Sequence, residues 1–193
     1  MTILPITYLG NTAWWSHLLS DECVIDIGEN WIKQSARNRC EIVTPNGVAT
    51  LSVNVCGRGE RVATRDVRID YSKRWQHQHS VALRSAYKSS PYYDYYADRL
   101  EPFFERRYEF LYDFNRELVD VVRGIAGIRE ELRYSEEYIV ASPADEDLRG
   151  YSFLGTPTLL NRAPLPIYWQ VFSERIPFEP NLSIIDYIFN EGK

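Results

Sequence analysis

Between residues 71 and 75 the hydrophobic spacing of this 193-residue chain changes from a period of two to a helical period. That switch limits what the chain can fold into. Upstream, "CEIVTPNGVATLSVNV" sets two β-branched runs around "TPNG", whose Asn-Gly pair tolerates the positive φ of a tight hairpin turn. "TRDVRIDY" alternates polar and apolar residues as a half-buried strand does. Downstream, Trp75, His79, Ala82, Leu83 and Ala86 share one helical face, with Ser72 placed to cap it and "SSP" to end it. Residues 92–128 read as a short aromatic helix and then a long one. Phe104, Tyr108, Leu111, Phe114, Leu118, Val121, Val122 and Ile125 form a continuous stripe, and Gly124 and Gly127 mark its end. A helix with one broad apolar face must pack against a sheet or another helix.

The predicted fold is therefore α/β, a mixed β-sheet with a helical middle region, residues 72–130, packed against it. Its strands are the N-terminal runs "ILPITYL" and "ECVIDI", the hairpin, and a late run, "IYWQVF". Asn11 or Thr12 is placed to cap a short helix between the first two strands. "ELRYSEEYIV" offers one further strand, and residues 141–166 read as a long surface connection. The closing "NLSIIDYIFNEG" reads as a short helix, with Ser183 and Asp186 spaced like a capping box and Gly192 beyond the last turn.

Length fits a single domain over 1–193, large enough to bury a core without staples. The net charge of -5 comes from 27 acidic and 22 basic residues without a long basic run, which argues against a nucleic-acid binder. The three cysteines, Cys23, Cys40 and Cys56, contain no C-x-x-C pair and read as three buried free thiols in a reducing compartment. The first residues lack the basic start and apolar core of a signal peptide, and no apolar run reaches the length of a membrane span. A cytoplasmic protein is expected.

Polar donors concentrate in one place. "ENWIKQSARNRCEI", residues 29–42, follows a strand-like run directly and carries Asn30, Lys33, Gln34, Arg37, Asn38 and Arg39. Arg37 and Arg39 are two apart, so an extended segment would project both guanidinium groups to one side, where they could grip carboxylate or phosphate in pairs. An edge strand carrying solvated charge fits the same spacing. His79 lies on an apolar helix face, where an imidazole titrating near neutral pH suits proton transfer; a core histidine with a satisfied hydrogen bond fits that position as well. His17 reads as structural. His77 and His79 do not face each other on a helix, so they make no metal pair. No zinc set, phosphate-cradling glycine loop or serine nucleophile elbow is present. Cys40 beside Arg39 could have its thiolate stabilised, but its strand position favours packing as a small hydrophobe.

These blocks resemble the WbqC-like family of bacterial proteins, in the shorter form common among Bacteroidetes. The resemblance rests on "ENWIKQSARNRCEI", on "DVRIDY" followed by "WQHQHSVALRSAYKSSPYY", on "SEEY" with "DLRG", and on "PNLSIIDYIFNEG". They run in order over most of the chain. The resemblance implies a role near surface-polysaccharide and O-antigen synthesis, with transfer of an amino-acid or acyl group to a sugar suggested for some members. It carries over Arg37, Asn38, Arg39, His79 and "LSIID" as ligand-site or signature positions. Longer relatives hold a His-Gln-Pro segment where this chain has "ITYLGNTAW", which has neither that histidine nor that proline.

Two functions follow as expectations. In the first, the protein is a group transferase: Arg37 and Arg39 hold an anionic small molecule (an activated sugar or acyl donor), His79 moves a proton, and Asn30 and Gln34 orient the acceptor. Neither cofactor nor metal is specified by any motif. In the second, the protein is a non-catalytic ligand-binding or scaffold protein that uses the same cleft or the tyrosine-rich segment 92–96.

Overall fold

A computed structural model describes residues 1–19, 22–57, 62–155 and 167–192. The chain has the expected α/β content, with its strands divided between two small sheets. β1 (Thr2–Leu4) is the centre of a three-stranded parallel sheet, flanked by β2 (Cys23–Ile25) and β5 (Glu146–Asp147). Ile3 lies opposite Val24 on one side and Asp147 on the other. Parallel neighbours need a crossover, and α1 (Thr12–Leu18) supplies it between β1 and β2. Its cap is Asn11, which accepts the Trp14 N–H at 2.9 Å.

β3 (Arg39–Thr44) and β4 (Gly47–Ser52) form the antiparallel hairpin. Pro45 and Asn46 make the two-residue connection, and Gly47 takes the positive φ, +101°, that closes it. Cys40, Ile42, Leu51 and Val53 turn into the core. Cys23 and Cys40 are buried as expected, but Cys56, beyond the end of β4, is exposed, which corrects the expectation of three buried thiols.

The helical middle region consists of α2 (Trp75–Tyr87), α3 (Tyr93–Glu105) and α4 (Leu111–Ile125). Leu111, Phe114, Leu118, Val122 and Ile125 of α4 are sealed from water. Burying each such side chain is worth about 2 kcal/mol. Phe114 stands at the middle of an aromatic cluster, its ring 5.6 Å from Tyr8, 5.7 Å from Trp75 and 5.3 Å from Tyr108. Among the described residues no helix is long and apolar enough to cross a membrane.

Several segments depart from their expected form. The stripe from Phe104 to Ile125 is not one helix, because residues 109–111 pair with the chain at 67–69: Ile69 N–H donates to the Glu109 carbonyl and Leu111 N–H to that of Val67. Backbone groups engaged there cannot also extend a helix. "TRDVRIDY" is accordingly no strand but a 3-10 turn (Thr64–Asp66) followed by isolated bridges, Val55 to Ile69 and Arg68 to Phe110. "ELRYSEEYIV" contributes a single bridge, Tyr134 to Ile25. Ser72 bonds Asp70, so Arg74 occupies the cap of α2 without a side-chain bond.

"IYWQVF" is irregular, because Tyr168 and Gln170 are drawn to Asp186 at the first turn of α5 (Ile184–Glu191). Ser183 forms no capping box with Asp186; its hydroxyl donates to the Leu9 carbonyl at 2.7 Å. Of the connection 141–166, residues 156–166 lie outside the described residues, and its earlier part supplies β5.

Candidate functional site

The carboxyl ends of the parallel strands, where open α/β sheets receive ligands, are filled by the protein's own charges. Asp26 follows β2 and is fully buried. One of its oxygens accepts the Gly28 N–H at 2.9 Å and the Ser135 hydroxyl at 3.0 Å. The other accepts the Ile139 N–H at 3.2 Å and Arg149 Nη1 at 2.5 Å. Arg149, just beyond β5, also grips Asp147 through Nε and Nη2 and lies over the Tyr138 ring at 4.5 Å. A buried charge is tolerable only when paired and hydrogen-bonded, and these are.

Arg37 belongs to this network. Its Nε donates to Glu29 Oε1 at 2.9 Å, one Nη donates to Glu29 Oε2, and the same Nη reaches the Arg149 carbonyl at 2.8 Å. Both side chains are shut from solvent. Burial pushes the Glu29 carboxyl up to about 7, against the pull of the Arg37 guanidinium. The carboxylate that Arg37 holds is thus internal. It does not project beside Arg39, because residues 35–38 form a turn, closed by Asn38 N–H to the Ser35 carbonyl, rather than an extended segment.

The tract is clamped from three directions. Asn115 of α4 donates to the Arg37 carbonyl at 2.7 Å, Tyr8 N–H donates to the Ala36 carbonyl at 2.8 Å, and Ala36 N–H donates to the Ser152 carbonyl at 2.7 Å. So held, it forms one wall of a cavity of about 350 Å³, lined by Trp31, Lys33, Gln34, Asn38 and Arg39. Val55, Cys56, Gly57, Val62 and Val67 make the other walls. Gln34 sits there in the left-handed region, φ 57°, a strained conformation for a residue of its type. Asn38 donates to the Val53 carbonyl at 2.9 Å, while its Oδ1 is buried and has no partner among the described residues. Arg39 Nε likewise has none.

Of the residues expected to bind ligand, Lys33, Gln34, Asn38 and Arg39 are therefore brought together. Asn30 is exposed and outside the lining; Arg37 is behind it. His79 is also apart from the cavity. Its Nδ1 is 2.8 Å from the Tyr8 hydroxyl, a further bond runs to the Ser52 backbone, and the rings of Trp75 and Phe104 flank it. Burial pushes its pKa down to about 4, so at neutral pH the ring is uncharged. A neutral ring satisfies both neighbours by donating to the Ser52 carbonyl and accepting from Tyr8.

Spacing alone did not single out Asp26, Glu29, Asp147 and Arg149. The signal lay in an aspartate inside the apolar run "CVIDI" and in the blocks "SEEY" and "DLRG", which meet at Asp26. A third buried carboxylate, Asp186 in "LSIID", accepts the hydroxyls of Tyr87 and Tyr168 and the Gln170 amide.

Comparison with known proteins places the sequence in a family. The family model for the WbqC-like protein family matches residues 16–152, from α1 through the Arg149 network. No curated protein and no solved structure matches the chain.

Proposed function

The chain belongs to the WbqC-like protein family, and on that premise we propose that it is a group transferase, moving an amino-acyl or acyl group to a sugar in surface-polysaccharide or O-antigen synthesis. The cavity beside Arg39 holds the anionic donor. The observation that carries the reading is the convergence of Lys33, Gln34, Asn38 and Arg39 on a cavity large enough for a small molecule. Arg39 and Lys33 supply positive charge, and a guanidinium matches carboxylate or phosphate through paired hydrogen bonds. Trp31 offers an apolar wall. Arg37 and His79 act as positioning residues: Arg37 anchors the tract to Glu29, and His79 holds Tyr8, whose backbone carries Ala36.

The test is a thermal-shift screen with nucleotide sugars, acyl-CoA thioesters, amino acids, phosphate and simple carboxylates, with Arg39→Gln run alongside. A ligand at a hundred times its dissociation constant should add about 2.7 kcal/mol. A shift that disappears in Arg39→Gln supports the site, and incubation of that ligand with sugar acceptors then reads transfer by mass spectrometry. If no anion produces a shift, the reading falls. Binding without transfer selects the non-catalytic ligand-binding role, which the enclosure of His79 in the aromatic core favours.

A further inference from the structure

The cavity beside Arg39 is lined by two kinds of side chain. The first carries charge that the fold leaves unanswered. Arg37, Arg39, Arg123 and Arg149 are the described arginines drawn at least partly out of solvent. Arg37 faces Glu29, Arg123 faces Asp120, and Arg149 faces both Asp26 and Asp147. Arg39 pairs with no carboxylate among the described residues, and neither does Lys33. No described residue of the lining is acidic. A cation drawn out of water without a partner is unfavourable, so the cavity is short of negative charge that an occupant can supply.

The second kind is apolar: Trp31, Val55, Val62 and Val67. Trp31 is anchored by its backbone, whose N–H donates to the Val62 carbonyl at 2.8 Å. The indoles of Trp14, Trp15 and Trp75 pack on other rings, whereas that of Trp31 packs on no ring or cation among the described residues. A simple inorganic anion would answer the cations and leave the indole and valines wet. A plain acyl chain would cover the valines and leave the cations unanswered. A flat ring joined to an anionic group satisfies both.

We propose that the cavity binds the nucleoside diphosphate part of the donor, with the base against Trp31 and the valines and the diphosphate at Lys33 and Arg39. The inference rests on the reading of this cavity as the donor site and names what is recognised there. Every base has a π-face, so an indole among apolar side chains can receive it by stacking. Gln34, also in the lining, carries an amide able to pair with a base edge. Two cations match the charge of a diphosphate, and a guanidinium binds phosphate oxygens in pairs. At about 350 Å³ the cavity lies near the lower end of ligand-sized sites, which suits the handle of a donor rather than the whole of it. Activated sugars and coenzyme A thioesters share that handle.

The experiment is isothermal titration of the whole chain with UDP, ADP, coenzyme A and inorganic pyrophosphate. UDP or ADP should bind about tenfold or more tightly than pyrophosphate, the advantage of stacking a base on an aromatic ring. Trp31→Leu should remove that advantage and leave pyrophosphate affinity unchanged, while Trp31→Phe should keep most of it. Arg39→Gln should weaken nucleotides and pyrophosphate alike, and so should high salt. Coenzyme A binding as tightly as ADP assigns the handle to an acyl thioester. UDP binding where coenzyme A does not assigns it to an activated sugar.

Pyrophosphate binding as tightly as both nucleotides would overturn the proposal, and that comparison in the wild type needs no variant to fold. A nucleotide preference that survives in folded Trp31→Leu would overturn it too. Either result, with pyrophosphate affinity lost in Arg39→Gln, leaves the anion cavity standing. A thermal shift with carboxylates but no binding of these phosphates removes the nucleotide handle alone. No response to any anion removes both readings.

Discussion

Arg37 and Glu29 meet side-on through two hydrogen bonds in a site closed to water, with both side chains essentially without exposure. Eight residues separate them in sequence, and the pair folds the whole donor-rich tract back on itself. Pairs of this kind are costly to break because removing one partner strands the other's charge.

Arg37→Ala is accordingly expected to destabilise the fold by about 3–5 kcal/mol, most of it the burden of an unpaired Glu29. The double variant Arg37→Met, Glu29→Leu should recover most of that loss, since it removes both charges together. Urea unfolding of the two variants checks this. A single-variant loss below about 1 kcal/mol would mean that Glu29 is hydrated in solution and the pair is a surface one.

His79 gives stability a definite dependence on acid. Above pH 6.5 the ring is neutral in both folded and unfolded chains and contributes nothing. As pH falls from 6.5 the unfolded chain takes up a proton that the folded ring refuses until about pH 4. Stability is therefore lost on acidification, by up to about 3 kcal/mol across that window. Glu29 acts in the opposite sense, because its folded carboxyl, pushed up to about 7, binds a proton before the unfolded one does. The His79 contribution is read as the difference in pH slope between the wild type and His79→Gln, which should be less sensitive between pH 6.5 and 4. Identical slopes would show that the ring titrates normally and is open to water.

The helical half of this fold was legible because α2 and α4 bury one face each, and that burial leaves a spacing in the sequence. Trp75, His79, Leu83 and Ala86 are all inside. The break between Phe104 and Leu111 was not legible, because nothing in residues 106–111 announces that the backbone at 109–111 will pair with 67–69. The candidate site divides in the same way. Lys33, Gln34, Asn38 and Arg39 are neighbours in sequence and line one cavity. The network behind them joins Asp26 to Arg149 across 123 positions, a pairing that local pattern cannot carry. The two-residue spacing of Arg37 and Arg39 assumed an extended chain, and the turn at 35–38 puts Arg37 behind the cavity instead.

Gly28 is a close-approach position between two of the network's carboxylates. A Cβ there would lie 2.2 Å from the Tyr138 backbone nitrogen and 2.6 Å from its Cα, and backbone cannot yield as a flexible side chain would. Gly28→Ala should push residues 137–139 away from Asp26, breaking the bond from Ile139 N–H. The expected loss is about 2 kcal/mol or more, as for other overpacked interiors. Gly150 is the matched control, since a Cβ there meets open space. Thermal unfolding of both variants decides the point: a Gly28→Ala melting temperature equal to that of Gly150→Ala would show that the segments are not in contact.

Asp186 ties the irregular segment 167–172 to α5, and it does so by accepting alone. Tyr87 donates to one oxygen at 2.8 Å; Tyr168 at 2.6 Å and Gln170 at 2.9 Å donate to the other. Burial pushes its carboxyl upward while these three donors pull it back. Asp186→Asn keeps the shape but turns a donor toward donors, so at least one buried polar group goes unsatisfied, at a cost of about 1–3 kcal/mol. Removing the opposing hydroxyl should then help: in the Asp186→Asn background, Tyr168→Phe is expected to cost less than it does in the wild type. A double-mutant cycle by urea unfolding measures that coupling. Additive effects would mean that the Tyr168 hydroxyl is satisfied by water in solution and that segment 167–172 is held by the Tyr168 ring against Phe178 and Tyr187 instead.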